Sequence, residues 1–224
     1  MVFAIIVAGG SGQRMGSETP KQFLDLEGKP VLYYSIRTFL DAIPGIRIVV
    51  VLPESQLFRA GEILEIFPEQ NQIQIVSGGK TRFDSVAEGL KVVTSPSLVL
   101  VHDGARPLVT QDLIRRCYEN TLERGNAIPV VPVSDSIREI SGAESHAISR
   151  EHLRSVQTPQ GFDTEMLKSA FLQVYDPAFT DEASVVEAKG HKVHLIEGEK
   201  SNIKITNPED LIIAAALLHH RNRI

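Results

Sequence analysis

The sequence predicts an α/β protein with a mostly parallel sheet that is covered by helices on both faces (a Rossmann-like fold). Unbroken apolar runs at 2–8 and 46–52 are typical of strands that are buried on both sides. Segments with apolar residues at helical spacing come between such runs, for example after Pro30. Strands that alternate with helices in this way favour a parallel sheet. We interpret 1–224 as a single domain, because this length can enclose one full core.

The same two patterns predict each element along the chain. Strands are expected at 2–8, 46–52, 73–76, 98–101, 127–133 and 192–196. Helices are expected at 30–43, 57–67, 81–93, 110–124, 163–175, 181–189 and 207–221. Pro44 and Gly45 end the first of these helices, and Thr110 and Thr180 are candidate caps of later ones.

The alternation of strands and helices is interrupted after residue 133. Residues 136–140 and 146–150 flank a short turn with Gly142, which indicates a β-hairpin. We interpret about 136–157 as an arm that leaves the main domain. A lone two-stranded hairpin is marginal in water, so the simplest partner is the hairpin of a second chain in a homodimer.

Composition excludes several classes of protein. Hydrophobic content of 42% and charged content of 23% are typical of a soluble globular chain. The net charge of −5 and the pI near 5.8 argue against a surface that coats nucleic acid. No apolar run approaches the about 20 residues of a membrane span. Residues 2–8 lack a basic flank and lead into a glycine-rich loop, so they are expected to be a core strand and not a signal peptide.

The glycine-rich loop after the first predicted strand is the main candidate for chemistry. Four glycines lie within eight positions: Gly9, Gly10, Gly12 and Gly16. The backbone amides of such a loop can approach a polyanion closely. Arg14 lies inside the loop and Lys21 lies just beyond it. The combination favours a nucleotide triphosphate site over the alternative, a tight turn with two solvated cations.

Two common phosphate-binding loops do not fit this stretch. The dinucleotide fingerprint G-x-G-x-x-G requires glycine where Met15 stands, and an acidic residue about 20 positions later. The P-loop requires lysine directly after its last glycine, where Ser17 stands here.

Two further segments are expected at the same edge of the sheet, because ligands bind at the carboxyl ends of such strands. The turn at 77–85 combines glycines with hydroxyls, which suits ligand binding and ordinary capping by Thr81 or Asp84 equally. In the segment 102–107, Asp103 is a candidate Mg²⁺ ligand or sugar-binding residue, and a structural pair with Arg106 is the alternative.

Other candidate residues have a simpler interpretation when they are taken alone. His102 is expected to be a packed histidine and not an acid or base. The segments 158–160 and 180–184 are typical of turns and caps, and Lys204 is typical of an exposed lysine at a strand edge.

Taken together, these segments resemble a known family. The chain contains, in order, AGGSGQRMG, PKQF, GGKTRFDSV, HDGARP, SREHL…QTPQGF, TDEAS and SNIKIT. This order is similar to that of the 2-C-methyl-D-erythritol 4-phosphate cytidylyltransferases, over residues 4 to about 210. The ribitol-5-phosphate cytidylyltransferases share the first loop and PKQF, but they tend to differ at the later motifs.

The resemblance implies a cytoplasmic, homodimeric enzyme of isoprenoid precursor biosynthesis that transfers CMP from CTP to the methylerythritol phosphate. It implies Mg²⁺ or another divalent cation that is held mainly by the CTP phosphates, with no direct protein ligand. The implied CTP contacts are Ala8, Gly9, Gly10, Gly12, Arg14, Lys21, Gly78, Gly79, Ser85 and Gly104. The implied acceptor contacts are Asp103, Arg106, Ser136, Arg150, Thr158, Thr180 and Lys204. The implied catalytic residues are Arg14, Lys21, Arg150 and Lys204, with Arg150 supplied by the neighbouring subunit.

Two alternatives remain at this point. One is the same chemistry on ribitol 5-phosphate or a related sugar phosphate. The other is a non-catalytic nucleotide-binding regulator. The intact set of four candidate catalytic cations argues against a regulator, which could lose them.

Overall fold

The computed structural model of the chain describes residues 1–9 and 19–221. Its strands are β1 (Val2–Val7), β2 (Asp25–Leu26), β3 (Lys29–Pro30), β4 (Arg47–Leu52), β5 (Ile73–Ser77), β6 (Leu98–Asp103), β7 (Asn126–Pro132), β8 (Ile137–Ser141), β9 (Glu144–Ile148), β10 (Arg154–Val156), β11 (Gln160–Asp163) and β12 (Leu195–Glu197). Its α-helices are α1 (Val31–Ala42), α2 (Ala60–Glu65), α3 (Arg82–Lys91), α4 (Gln111–Arg124), α5 (Thr164–Ala170), α6 (Glu182–Ala188) and α7 (Pro208–Arg221).

Eight of these strands form the central sheet. Seven lie in the order β10-β7-β11-β6-β1-β4-β5, and β12 pairs with β7. Strands β6, β1, β4 and β5 are mutually parallel, whereas β11 runs antiparallel to both β6 and β7. The predicted mostly parallel α/β fold is therefore confirmed, with an antiparallel strand inserted near the middle of the sheet.

The apolar runs are continuous because helices cover both faces of the sheet. Along β1, Ala4 and Ile6 pack on the side of α1 and α4, and Phe3 and Ile5 pack on the side of α3, α5 and α6. Successive side chains of a strand point to opposite faces, so a strand that is covered on both faces needs apolar residues at every position. The ligand-accessible part of the sheet is then the edge at its strand ends.

Strand β11 was not predicted, because its sequence, Gln160-Gly161-Phe162-Asp163, has no apolar run. Gly161 is required there by the close approach of α4. A Cβ atom on Gly161 would lie 2.0 Å from Thr121 Oγ1. The short strand β10 was missed for a similar reason, because Arg154, Ser155 and Val156 are exposed and show no alternation.

Several predicted helix boundaries are wrong. The helix expected at 57–67 is the shorter α2, because a 3₁₀ helix at Glu54–Arg59 precedes it. The helix expected at 163–175 is the shorter α5, and Asp163 caps it by accepting hydrogen bonds from the backbone amides of the first turn. The cap of α6 is Asp181 and not Thr180, because Asp181 and Ser184 form a reciprocal capping box. Thr110 caps α4 as predicted, by accepting from Leu113 N–H.

The hairpin interpretation of 136–150 is confirmed at the level of secondary structure. Strands β8 and β9 pair with each other as a separate two-stranded sheet, and Gly142 in their turn has a φ of 62°. The side chain at Ile140 is 75% exposed. Within the described part of the chain, no helix has the length and apolar character needed to cross a bilayer.

Candidate active site

A cleft lies at the carboxyl ends of β1, β5 and β6. We call it the first cavity. It brings the end of β1 together with two of the segments that the sequence placed on one rim, the turn at 77–85 and the turn after β6. Of the third segment, the glycine-rich stretch at 9–21, the described residues Gly9 and Lys21 line the cleft. Its walls include seven of the predicted site residues: Ala8, Gly9, Lys21, Gly79, Ser85, Asp103 and Lys204. Three predicted contacts, Gly10, Gly12 and Arg14, lie outside the described residues.

Lys21 is held near the end of β1 by its neighbour in sequence. The buried Gln22 donates from Nε2 to Ala8 O at 2.7 Å. This bond joins the short 3₁₀ turn at Lys21–Phe23 to the start of the glycine-rich loop. Lys21 Nζ donates to Ile205 O at 2.9 Å, so the lysine also touches the segment that carries Lys204.

At the turn 77–85 the structure confirms the capping interpretation, and the same turn lies beside the first cavity. Thr81 and Asp84 form a capping box at the start of α3. The Ser85 hydroxyl accepts from Gly79 N–H at 3.2 Å, and both residues line the first cavity. A Cβ atom on Gly79 would lie 2.2 Å from Asp84 Cβ, so this turn requires glycine. Gly78 precedes this pair, and a Cβ atom on it would lie 2.8 Å from Ser85 Oγ.

A second cavity adjoins the first. Its walls include five predicted acceptor contacts: Asp103, Arg106, Thr158, Thr180 and Lys204. The two cavities have three lining residues in common, Arg82, Asp103 and Lys204. These three side chains therefore form the boundary between the two cavities.

Asp103 is the electrostatic centre of this boundary. Its Oδ1 accepts from Arg82 Nε at 3.2 Å, and its Oδ2 lies 2.9 Å from Lys204 Nζ. Arg106 Nε is more distant, at 3.6 Å from Oδ2. Burial by itself would raise the pKa of Asp103, but Arg82, Lys204 and Arg106 together hold that pKa well below its usual range. The predicted pair with Arg106 exists, but it is the longest of the three.

His102 is a packed histidine, as predicted. It is fully buried, and burial lowers its pKa to about 4, so the imidazole is neutral near pH 7. Thr158 Oγ1 accepts from Asp103 N–H at 3.0 Å and lies 3.1 Å from His102 Nδ1. His102 Nε2 lies 3.2 Å from Arg106 O, and because a carbonyl oxygen only accepts, Nε2 carries the ring proton and donates to it. Nδ1 is then unprotonated and accepts the hydroxyl proton of Thr158.

The segment that carries Lys204 is fixed by buried polar groups. Arg106 NH1 donates to Asn202 O at 2.8 Å, and Asn202 Nδ2 donates to Thr158 O at 2.8 Å. Ile205 N–H donates to Ala105 O at 2.8 Å. The turn after β6 and the segment of Lys204 are therefore hydrogen-bonded to each other. The predicted contact Gly104 lies in that turn and donates its N–H to Val7 O at 2.9 Å.

Ser136 and Arg150 lie apart from the described walls of both cavities. Both are exposed, at the base of the hairpin of β8 and β9. The Arg150 guanidinium donates to Ser134 O of the same chain. Thr180 is exposed at the rim of the second cavity, where its N–H donates to Ser184 Oγ at 3.1 Å.

Comparison with known proteins identifies the family. The family described as 2-C-methyl-D-erythritol 4-phosphate cytidylyltransferase matches residues 2–220. The chain belongs to this family. A relative of that name from Bacteroides thetaiotaomicron is 49% identical over 214 residues, which cover 96% of this chain and 98% of the relative. A relative of the same name from Bacillus velezensis is 41% identical, with 96% and 94% covered.

Solved structures agree with this assignment. The 2-C-methyl-D-erythritol 4-phosphate cytidylyltransferase of Thermus thermophilus is 34% identical, with a TM-score of 0.76, and the match covers 96% of this chain and 98% of that one. The 4-diphosphocytidyl-2C-methyl-D-erythritol synthase of Anaerococcus prevotii is 29% identical, with a TM-score of 0.82, and the match covers 97% and 98%. The expected nucleotidyltransferase fold of the cytidylyltransferase family is therefore confirmed over nearly the whole chain.

Sequence reasoning missed two charged residues at this candidate site, Arg82 and Glu182. Arg82 bridges Asp103 to the buried Glu182. The helix that carries Glu182, α6, is supported by the buried Gln160, which accepts from Ala183 N–H at 2.9 Å. Arg82 and Glu182 both fall inside quoted motifs, GGKTRFDSV and TDEAS. The sequence feature that could have identified them is their position. Each is the first residue of a helix, directly after a turn that contains glycine or hydroxyl residues.

Proposed function

We propose that this protein transfers the cytidylyl group of CTP to 2-C-methyl-D-erythritol 4-phosphate. The products are 4-diphosphocytidyl-2-C-methyl-D-erythritol, an isoprenoid precursor, and pyrophosphate. The observation that carries the proposal is the pair of adjoining cavities that meet at Asp103 and Lys204. A transfer between two substrates requires two sites with a common boundary, and a regulator that only binds a nucleotide needs one.

The residue types suit an attack by the acceptor phosphate on the α-phosphorus of CTP. A new P–O–P bond forms, and the bond from the α-phosphorus to the leaving pyrophosphate breaks. A phosphate dianion is already a nucleophile, so no general base is needed. Catalysis then consists of bringing two anions together and stabilising charge on the group in transfer.

The cations have distinct roles in this proposal. Lys21 lines the first cavity and is assigned to the triphosphate, together with Arg14. Lys204 lines both cavities and is assigned to offset the repulsion between the two anions, together with Arg150. Asp103 is assigned to the hydroxyls of the acceptor, because a carboxylate accepts hydrogen bonds and repels phosphate.

We propose that the nucleotide carries the divalent cation of this site. Within residues 1–9 and 19–221, no cluster of three acidic, histidine or cysteine side chains is available as a set of ligands. The carboxylate of Asp103 already faces three cations. We therefore propose Mg²⁺ bound mainly through CTP phosphate oxygens, where it would supply charge neutralisation.

We further propose a homodimer in the cytoplasm. The exposed hairpin, with Ile140 at its end, suits pairing with the hairpin of a second copy. Such pairing would carry Arg150 to the second cavity of the partner, which explains why it lies away from the cavities of its own chain. Cys117 is the only cysteine and is a buried free thiol, which suits a reducing compartment.

Pyrophosphate release tests the reaction. The purified protein is incubated with CTP, Mg²⁺ and either 2-C-methyl-D-erythritol 4-phosphate or ribitol 5-phosphate. Release that depends on the methylerythritol phosphate supports the proposal. Release with ribitol 5-phosphate alone would assign the acceptor to the sister group, and binding of CTP without release under either condition would favour a regulator.

A further inference from the structure

We infer that Arg82 and Glu182 form a positioning pair that keeps one oxygen of Asp103 available to Lys204 and to the acceptor. The inference rests on the proposed function and adds two residues that act through Asp103. Arg82 is the first residue of α3, next to the nucleotide-side turn. Glu182 is the first residue of α6 and lies two positions after Thr180, which lines the second cavity.

The geometry of Arg82 depends on Glu182. NH1 and NH2 of Arg82 donate to the two carboxylate oxygens of Glu182, and the bond from NH2 is 3.0 Å long. Arg82 Nε donates to Asp103 Oδ1 at 3.2 Å. A guanidinium group is planar, with its five N–H donors in fixed directions. Once Glu182 holds both terminal nitrogens, the direction of the Nε–H bond is also fixed.

Glu182 has little other function within the fold. Its side chain is 1% exposed, and the hydrogen bonds described for its carboxylate all come from Arg82. A buried carboxylate without a partner is costly, so Glu182 and Arg82 hold each other in place. The burial of Arg82 would lower its pKa, but Glu182 and Asp103 more than compensate and raise that pKa.

As a consequence, the two carboxylate oxygens of Asp103 have different partners. Only the single Nε–H of Arg82 reaches Oδ1, and Oδ2 lies 2.9 Å from Lys204. Without the charge of Glu182, the two-nitrogen fork of Arg82 would be free to bind both oxygens of Asp103, the stronger geometry for an arginine and a carboxylate. Lys204 would then lose its partner at the boundary between the cavities.

The test variant is Glu182→Gln, which keeps the side-chain shape and removes the charge. With CTP saturating, kcat/KM for the better of the two acceptors should fall by about tenfold, as expected when a hydrogen bond to a charged group is misdirected. The KM for CTP should change much less. The matched control is Glu69→Gln, because Arg37 binds Glu69 through two contacts of 3.0 Å and neither residue is in the described walls of the two cavities. The control should leave kcat/KM unchanged.

A double-mutant cycle separates positioning from a general loss of stability. In an Asp103→Asn background, Glu182→Gln should have little further effect, since its target is already lost. An equal fractional loss in both backgrounds would overturn the inference. Unchanged kcat/KM in the folded single variant, with thermal unfolding as the check on folding, would also overturn it.

A crystal structure of Glu182→Gln gives a readout that does not depend on turnover. We expect both oxygens of Asp103 on the fork of Arg82 and a longer distance from Asp103 to Lys204. An unmoved Asp103 would overturn the inference. If the wild-type protein is inactive with both acceptors, the proposed function fails, and this structure still tests the positioning pair.

Discussion

Lys204 Nζ lies 2.9 Å from Asp103 Oδ2, at the boundary that the two cavities share. Both residues are held by the same hydrogen-bond network. Arg106, in the turn after Asp103, donates to Asn202 O, and Ile205 N–H, next to Lys204, donates to Ala105 O. The lysine therefore lines both cavities, where the proposed function assigns it to the acceptor phosphate and the transferring cytidylyl group.

Replacing Lys204 by alanine should reduce acceptor use. The loss of a charged hydrogen-bond donor predicts a fall of roughly tenfold to a hundredfold in kcat/KM for the methylerythritol phosphate. Steady-state pyrophosphate release measures it. Lys200→Ala is the matched control, because Lys200 precedes the same segment and is outside the described walls of these two cavities. Equal effects of the two substitutions would contradict the role of Lys204.

Replacing Lys21 by alanine should lower turnover more than CTP binding. If Lys21 is a preorganised cation that stabilises the transition state, its removal should lower kcat by roughly a hundredfold or more. The KM for CTP should rise much less. Lys91→Ala is a suitable control, because this exposed lysine on α3 pairs with Glu88 of the same helix. If kcat stays constant and only KM rises, Lys21 contributes uniform binding and the assignment is wrong.

The buried, neutral state of His102 predicts a loss of folding stability at acid pH. Burial lowers the pKa of His102 in the folded state to about 4, from the ordinary value of 6.5. The neutral histidine therefore contributes its full share of the free energy of unfolding at pH values above 6.5. As the pH falls from about 6.5 to about 4, the unfolded state binds a proton that the folded state does not, and stability falls by about 3 kcal/mol. Urea unfolding across this range measures the slope. His102→Gln should flatten it, and an unchanged slope would contradict the buried, neutral state of His102.

The sequence predicted the core of this fold well and its long-range polar contacts poorly. The runs of β1 and β4 are buried on both faces, so period and composition were sufficient to identify them. Strand β11 has no such run, because Gly161 is imposed by the packing of α4. Local pattern carries no information about that contact.

The candidate site shows the same contrast. Residues at or just after the ends of strands, such as Asp103 and Gly79, were placed correctly on one rim because strand ends of a parallel sheet meet there. The pairing of Arg82 with Glu182 joins two distant helices, and only the fold brings them together. The hairpin was recognised from its turn, but a single chain does not determine which cavity Arg150 serves.

Mixing two inactive variants tests whether Arg150 acts on the partner subunit. Lys21→Ala and Arg150→Ala should each have little activity alone. After subunit exchange, a heterodimer contains one site with both lesions and one with neither, so activity should return. Native mass spectrometry confirms that heterodimers form. Heterodimers without recovered activity would mean that Arg150 serves the site of its own chain.

The central claim is the identity of the reaction, and direct competition tests it most directly. The protein is given CTP, Mg²⁺ and equal concentrations of 2-C-methyl-D-erythritol 4-phosphate and ribitol 5-phosphate in one vessel. The ratio of the two cytidylylated products, measured early by mass spectrometry, equals the ratio of the two specificity constants. We expect 4-diphosphocytidyl-2-C-methyl-D-erythritol to dominate. A mixture dominated by the ribitol product would contradict the account.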